Sequence, residues 1–302
     1  MKSTNYILAS AALMLALASC SDKEELYIDP VAATVTGNIT TTRADGATWQ
    51  SGDAIGISTM TGDTKTSYSN MKYVTSDNGT TFTHEGGMES GIFFKDPKKV
   101  KFSAYYPFGG NEKTARGTIT VDTKVQSNQK DYDFLYAESN EADHNAPEIK
   151  FTFAHVMTKL TLQVTIDKTS GFTASALEDV SYTLGGLKHK VEFNTASGEV
   201  GFASDATEVS DWTLENGTPS SDGGAEIYTM ILGPHTDNSG LTFTATIGGE
   251  NFYCTLTPGL VAGTSYTYNI TVKKTGLVLS ECTITDWAPD SQTPGNATAE
   301  MK

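Results

Sequence analysis

Residues 149–166 read IKFTFAHVMTKLTLQVTI, and their apolar positions change phase part-way along. Ile149, Phe151 and Phe153 are odd-numbered, whereas Val156, Leu160, Leu162, Val164 and Ile166 are even-numbered. Side chains of a β-strand alternate between two faces, so a one-residue shift sends the apolar set to the opposite face. The chain therefore bulges, or passes from one sheet to another, between Ala154 and Thr158. A boundary between two domains is expected there.

Outward from this stretch the same period of two recurs. Val31, Ala33, Val35 and Ile39 share a face, opposite Thr34, Thr36, Asn38 and Thr40. Val100, Phe102, Ala104 and Tyr106 stand opposite Lys99, Lys101 and Ser103. Leu241 to Ile247 and Tyr266 to Val272 repeat the pattern, and clusters such as Asp77-Asn78-Gly79 and Gly248-Gly249 supply turns between runs. No sustained 3.6-residue period follows the N-terminal segment. Many short strands joined by such turns predict an all-β protein built of β-sandwiches.

The N-terminal segment has its own logic. Lys2 precedes an apolar run, Ile7 to Ala18, too short to cross a hydrocarbon core of about 30 Å. The run ends in Leu17-Ala18-Ser19-Cys20, which matches a lipobox and makes Cys20 the lipidated first residue of the mature chain. Acyl chains contribute roughly 0.8 kcal/mol per buried methylene, so two or three hold a protein on a membrane. The acids in Ser21 to Glu25 look like an export signal to the cell surface. The expected organisation is a signal peptide (1–19), a lipidated linker (20–30), an N-terminal sandwich (31–153), a C-terminal sandwich (154–287) and a polar tail (288–302).

Thirty-six acidic residues against 21 basic ones give a net charge of −15, and no basic block could offset phosphates, which argues against a nucleic-acid partner. Cys254 and Cys282 lie in strand-like runs, as a disulfide or as two buried thiols. The five histidines are scattered, with no His-x-x-x-His pair, and no Gly-x-Ser-x-Gly elbow or calcium loop occurs. No catalytic residue, metal ligand or cofactor is expected. His155 reads as a structural histidine at the phase break, and Asp131-Tyr132-Asp133 as two exposed acids around an inward tyrosine. Trp49 and Trp287 read as packing residues. Trp212, in the polar stretch VSDWTLENG, is the candidate ligand contact, with the pinning of a long loop as its other reading.

The segments TTRADGATWQSGDAIGIS (41–58), KFSAYYPF (101–108), DYDFLYA (131–137), FTFAHVMTKLTLQV (151–164), GTSYTYNITVKKTGL (263–277) and ITDW (284–287), in this order, resemble the fimbrillin-like family of type V pilus subunits and Mfa-like surface lipoproteins. The resemblance implies two tandem transthyretin-like β-sandwich domains of Greek-key type. It also implies a non-enzymatic protein of the outer membrane and cell surface, whose partners are other pilus subunits, the outer membrane through its lipid, and a host glycan or protein. Assembly in that family is by strand exchange. A trypsin-like protease cuts behind the first strand, the strand leaves with the lipid, and a neighbour's strand fills the groove.

Carried onto this chain, the cut falls between Arg43 and Ala44, and Val31, Ala33, Val35 and Ile39 are the side chains withdrawn. Residues 277–287, with Leu277, Leu279 and Ile284, either donate to a neighbour or complete the chain's own second sandwich. The tail beyond Trp287, with Pro289 and Pro294, cannot form a central strand. A terminal or accessory subunit is favoured over a stalk subunit. The alternative is a monomeric lipid-anchored module that binds glycan or protein in an outer-membrane uptake system.

Overall fold

The computed structural model describes residues 28–40, 48–60, 64–76, 79–236, 240–257, 259–287 and 292–295. Cys20, Arg43 and Ala44 lie outside the described residues. The first strands are β1 (Thr34–Ile39), β2 (Ala54–Thr59), β3 (Met71–Val74), β4 (Thr81–His84), β5 (Phe102–Tyr106), β6 (Thr118–Asp122), β7 (Leu135–Glu138) and β8 (Glu148–His155). Among the described residues, all of these except β6 close into a barrel in the order β8-β1-β4-β3-β2-β5-β7. Closure comes from β8. Its residues Glu148 to Phe153 pair in parallel with β1, and Ala154 and His155 then pair antiparallel with β7. One strand that moves between two layers joins them at the edge. Val35, Ile55, Ile57, Phe82, Phe102 and Phe153 fill the interior, with alternate residues of each strand turned inward.

The chain leaves β8 at His155 and enters β9 (Thr158–Ile166), where it pairs with a different sheet. Between them, Val156 N–H donates to Phe134 O at 3.0 Å and Met157 is fully buried. The phase change at Ala154 to Thr158 is thus the passage between two sheet systems. The remaining strands are β10 (Val180–Gly185), β11 (Lys190–Asn194), β12 (Val200–Phe202), β13 (Glu226–Leu232), β14 (Leu241–Ile247), β15 (Glu250–Leu256), β16 (Thr264–Lys273), β17 (Gly276–Asp286) and β18 (Gln292–Gly295). One sheet runs β13-β9-β16-β17-β18, with Thr218–Pro219 beyond β13; the other runs β10-β14-β15, with Trp212–Thr213 beyond β10. Leu160, Leu162, Phe243, Ile247, Tyr268 and Ile270 belong to the core between them. The larger sheet ends on short proline-bearing strands at both edges, Pro219 and Pro294, which hinders further strand addition.

The two systems are stitched together. β6, before residue 154, pairs with β11, after it, in a sheet ordered β12-β11-β6. This sheet corrects the expectation for β5. Ser103, expected opposite the apolar face of the strand, and its neighbour on that side, Tyr105, are nonetheless only 4% and 2% exposed. The outer face of β5 is covered from β11, where Phe193 lies against Tyr105 with ring centroids 6.1 Å apart. Tyr105, Ile119, Phe134, Met157, Val191, Phe193 and Trp287 form a third apolar cluster between the barrel and the second sheet system.

Candidate functional site

The first strand is held mainly through its backbone. β1 pairs in parallel with β8 from Glu148↔Thr34 to Phe153↔Ile39, but antiparallel with β4 only at Val35↔Phe82 and Thr36↔Thr81. Just before it, Val31–Ala32 pairs with Phe93–Phe94, and Ala33 N–H donates to Ile92 O at 2.8 Å. Val35 is 2% exposed, whereas Val31, Ala33 and Ile39 are half-buried. The alternation expected for these four residues thus places one fully inside and the others at the margin.

Gly37 is the position no alternation rule would select. A Cβ there would lie 2.9 Å from Phe153 Cε2 and 3.1 Å from Phe82 Cε2, so the absent side chain lets two rings close over the strand. Trp49 fixes the return of the chain. Its indole N–H donates to Gly37 O at 2.7 Å, and its ring meets Phe82, Phe153 and Tyr106 edge-on at 5.0, 5.3 and 5.5 Å. On the other flank, Thr40 N–H and Oγ1 both donate to Phe153 O, at 2.9 and 2.6 Å. Thr40 and Trp49, which flank Arg43 in the sequence, are thus both anchored at one end of the barrel.

A cavity of about 150 Å3 opens at that end, lined by Trp49, Asp53, Tyr106, Lys130, Asp133 and His155. Tyr106 O–H donates to Asp53 Oδ1 at 3.1 Å, and burial beside that carboxylate pushes the phenol well above its ordinary range. His155 Nδ1 lies 2.7 Å from Asp133 Oδ1, and its ring stacks on Trp287 with centroids 3.9 Å apart and planes within 2°. Asp133 is thus a partner of His155 and not simply an exposed acid beside Tyr132. Sequence reading missed this grouping, because its members come from five separate segments and their spacing carries no signal.

The other expected site residues are in place as follows. Leu277 is 4% exposed, and Leu279 and Ile284 pack partly buried against the second core. β17 pairs along β16 and carries β18 on its outer edge at Cys282 to Thr285, so 277–287 complete the chain's own sheet. Trp212 is half-buried, with its ring edge-on to His189 at 4.8 Å, and packs against the same core. Cys254 and Cys282 are buried free thiols. Among the described residues no group of three or more His, Cys, Asp or Glu side chains could hold a metal ion, and no helix is long and apolar enough to cross a membrane.

Comparison with known proteins settles the class. The model of a family described as fimbrillin-like matches residues 42–287. The chain belongs to the fimbrillin-like family. This fimbrillin-like chain is 32% identical over 316 aligned positions to a protein of Bacteroides uniformis described as a fimbrium subunit, Fim1C, covering 99% of the chain and 98% of that protein. Crystal structures of two proteins described as cell adhesion proteins share its fold. One, from Bacteroides uniformis, is 29% identical with a TM-score of 0.67, covering 86% of this chain and 99% of its own. The other, from Bacteroides ovatus, is 25% identical with a TM-score of 0.70, covering 87% and 100%. These relatives are described as fimbrium and cell adhesion proteins; this chain belongs to the same fimbrial, adhesion-like family and is not an enzyme.

Proposed function

We propose that this protein is a surface lipoprotein of a fimbrium that works by β-strand complementation. Lipid on Cys20 anchors the precursor to the outer membrane; cleavage between Arg43 and Ala44 releases the first strand; a strand from another subunit then fills the groove between β8 and β4. The observation that carries this reading is the seating of β1. It lies between two strands, bonded by its backbone, and supplies one fully buried large side chain, Val35. Removing it exposes rows of unpaired backbone groups, which are a template for an added strand. The family match begins at residue 42, just past that strand, which supports a shared body without it.

The two sheet systems serve as two tandem transthyretin-like domains, 31–153 and 154–287. Because Leu277 and Cys282 are core residues of the chain's own second sheet, a terminal or accessory subunit is favoured over one that donates residues 277–287. Its relatives' description as fimbrium and cell adhesion proteins supports a place at the cell surface or in a fimbrium and a role in adhesion. The test is to treat the purified full-length protein in detergent with an Arg-specific protease. A new N-terminus at Ala44 is expected, with strand-dependent association with other subunits. Resistance of Arg43 while the fold stays intact contradicts the proposal.

A further inference from the structure

The cavity at the barrel mouth has a lining that selects among ligand chemistries. Its floor is apolar and aromatic, with Trp49 at 3% and Leu135 at 3% exposure. Its polar groups are of both signs: the carboxylates of Asp53 and Asp133 and the ammonium group of Lys130. Among the described residues Lys130 makes no ion pair. The three groups sum to a charge of −1, which disfavours an anion, while a cation would meet Lys130. A neutral hydroxyl both donates and accepts, and satisfies the carboxylates and the ammonium together.

Size points the same way. A cavity of about 150 Å3 accepts a six-membered ring. The half-buried ring of Tyr106 suits the C–H face of such a ring, and concave sites with an apolar floor and a few converging polar groups at a barrel mouth are common ligand sites. The polar groups are also fixed in advance. Asp53 is held by Tyr106 O–H at 3.1 Å and by Gln50 N–H at 2.7 Å, and Asp133 by His155 at 2.7 Å.

We propose that the mouth of the barrel binds the pyranose ring of a neutral sugar, with Asp53, Asp133 and Lys130 bonding its hydroxyls beside Tyr106. This rests on the adhesive reading for its biological sense, but not on strand removal. Ile39 of β1 forms part of the wall, so the site is to be tested in the uncleaved chain. It is also distinct from Trp212, which packs against the second sheet system.

The test uses the full-length, uncleaved protein in detergent and follows the Trp49 indole N–H by nuclear magnetic resonance. The probes are the methyl glycosides of glucose, galactose, mannose and N-acetylglucosamine, with sialic acid and arginine methyl ester as charged controls. At least one glycoside is expected to shift the Trp49 signal saturably, with a dissociation constant of about 1–10 mM. Lys130→Met and Asp53→Asn are expected to weaken it at least about fivefold, while Trp212→Ala leaves it unchanged. Lys130 is exposed, so its variant reports on binding without loss of the fold. No saturable shift from any glycoside up to about 50 mM, tighter binding of either charged control, or wild-type binding by both site variants would overturn the proposal. Because the chain is uncleaved, none of these outcomes bears on strand exchange.

Discussion

His189 carries a buried ring, 2% exposed, with Nδ1 3.1 Å from Thr123 Oγ1 and Nε2 without a partner. Burial pulls its pKa down from 6.5 to about 4, so the folded protein holds it neutral. The unfolded chain takes up the proton first as pH falls. Stability is therefore complete above about pH 6.5 and drains away towards pH 4, by about 3 kcal/mol at most. Denaturant titrations across that window are expected to show this slope in the wild type and a flatter one in His189→Gln. Tyr268 offers the converse case. Its hydroxyl is buried with the Cys282 thiol, a weak hydrogen-bonding group, as its one polar neighbour, so Tyr268→Phe removes a poorly satisfied group and should leave stability unchanged or raise it by up to about 1 kcal/mol. A clear loss of stability would mean that the contact with the thiol is a strong one. Burial pushes the Cys254 and Cys282 thiols up to about 11. Both should resist iodoacetamide at pH 8 in the native protein and react once it unfolds, whereas prompt native labelling would place a thiol at the surface.

At the scale of the strand, β1 depends on close approach more than on burial of its own side chains. Gly37→Ala puts a methyl group 2.9 Å from Phe153 and 3.1 Å from Phe82, rings that are 0% and 2% exposed and cannot move aside. The expected cost is about 1–3 kcal/mol, with faster release of the strand as judged by amide exchange at Val35. A variant as stable as wild type would show that the rings are not packed over this strand. The face of β1 was legible in the sequence, because Val35 and its neighbours at two-residue spacing declare it. Its partners were not. Parallel pairing with β8 joins residues more than a hundred positions apart, and nothing in either stretch names the other. The second system repeats the device, since β9 lies parallel to β16. The segment 277–287 had the same limit: it reads as a strand, but only the register names β16 as its neighbour within the chain.

The whole molecule unfolds as one body on this account. The β6–β11 pairing crosses between the two sheet systems, and the Gln126 side chain donates to Ile231 O at 3.1 Å and accepts from Ile231 N–H at 3.0 Å. Trp287, 6% exposed, closes the same junction by stacking on His155. Calorimetry should record a single transition, and Trp287→Ala should lower stability by about 3 kcal/mol. Two resolved transitions in the wild type would contradict the stitching. The passage between the systems was readable from the phase of one eighteen-residue stretch, 149–166. The stitch was not, because Thr118–Asp122 and Lys190–Asn194 are short strands whose choice of partner is set by packing and not by local pattern. The central claim remains that the first strand is exchangeable. Its most direct test is the fluorescence anisotropy of a labelled peptide of residues 31–42, added to the protein before and after cleavage at Arg43. The account predicts a rise with the cleaved protein alone, as the peptide enters between β8 and β4. Absence of any rise, although the N-terminus reads Ala44, would contradict it.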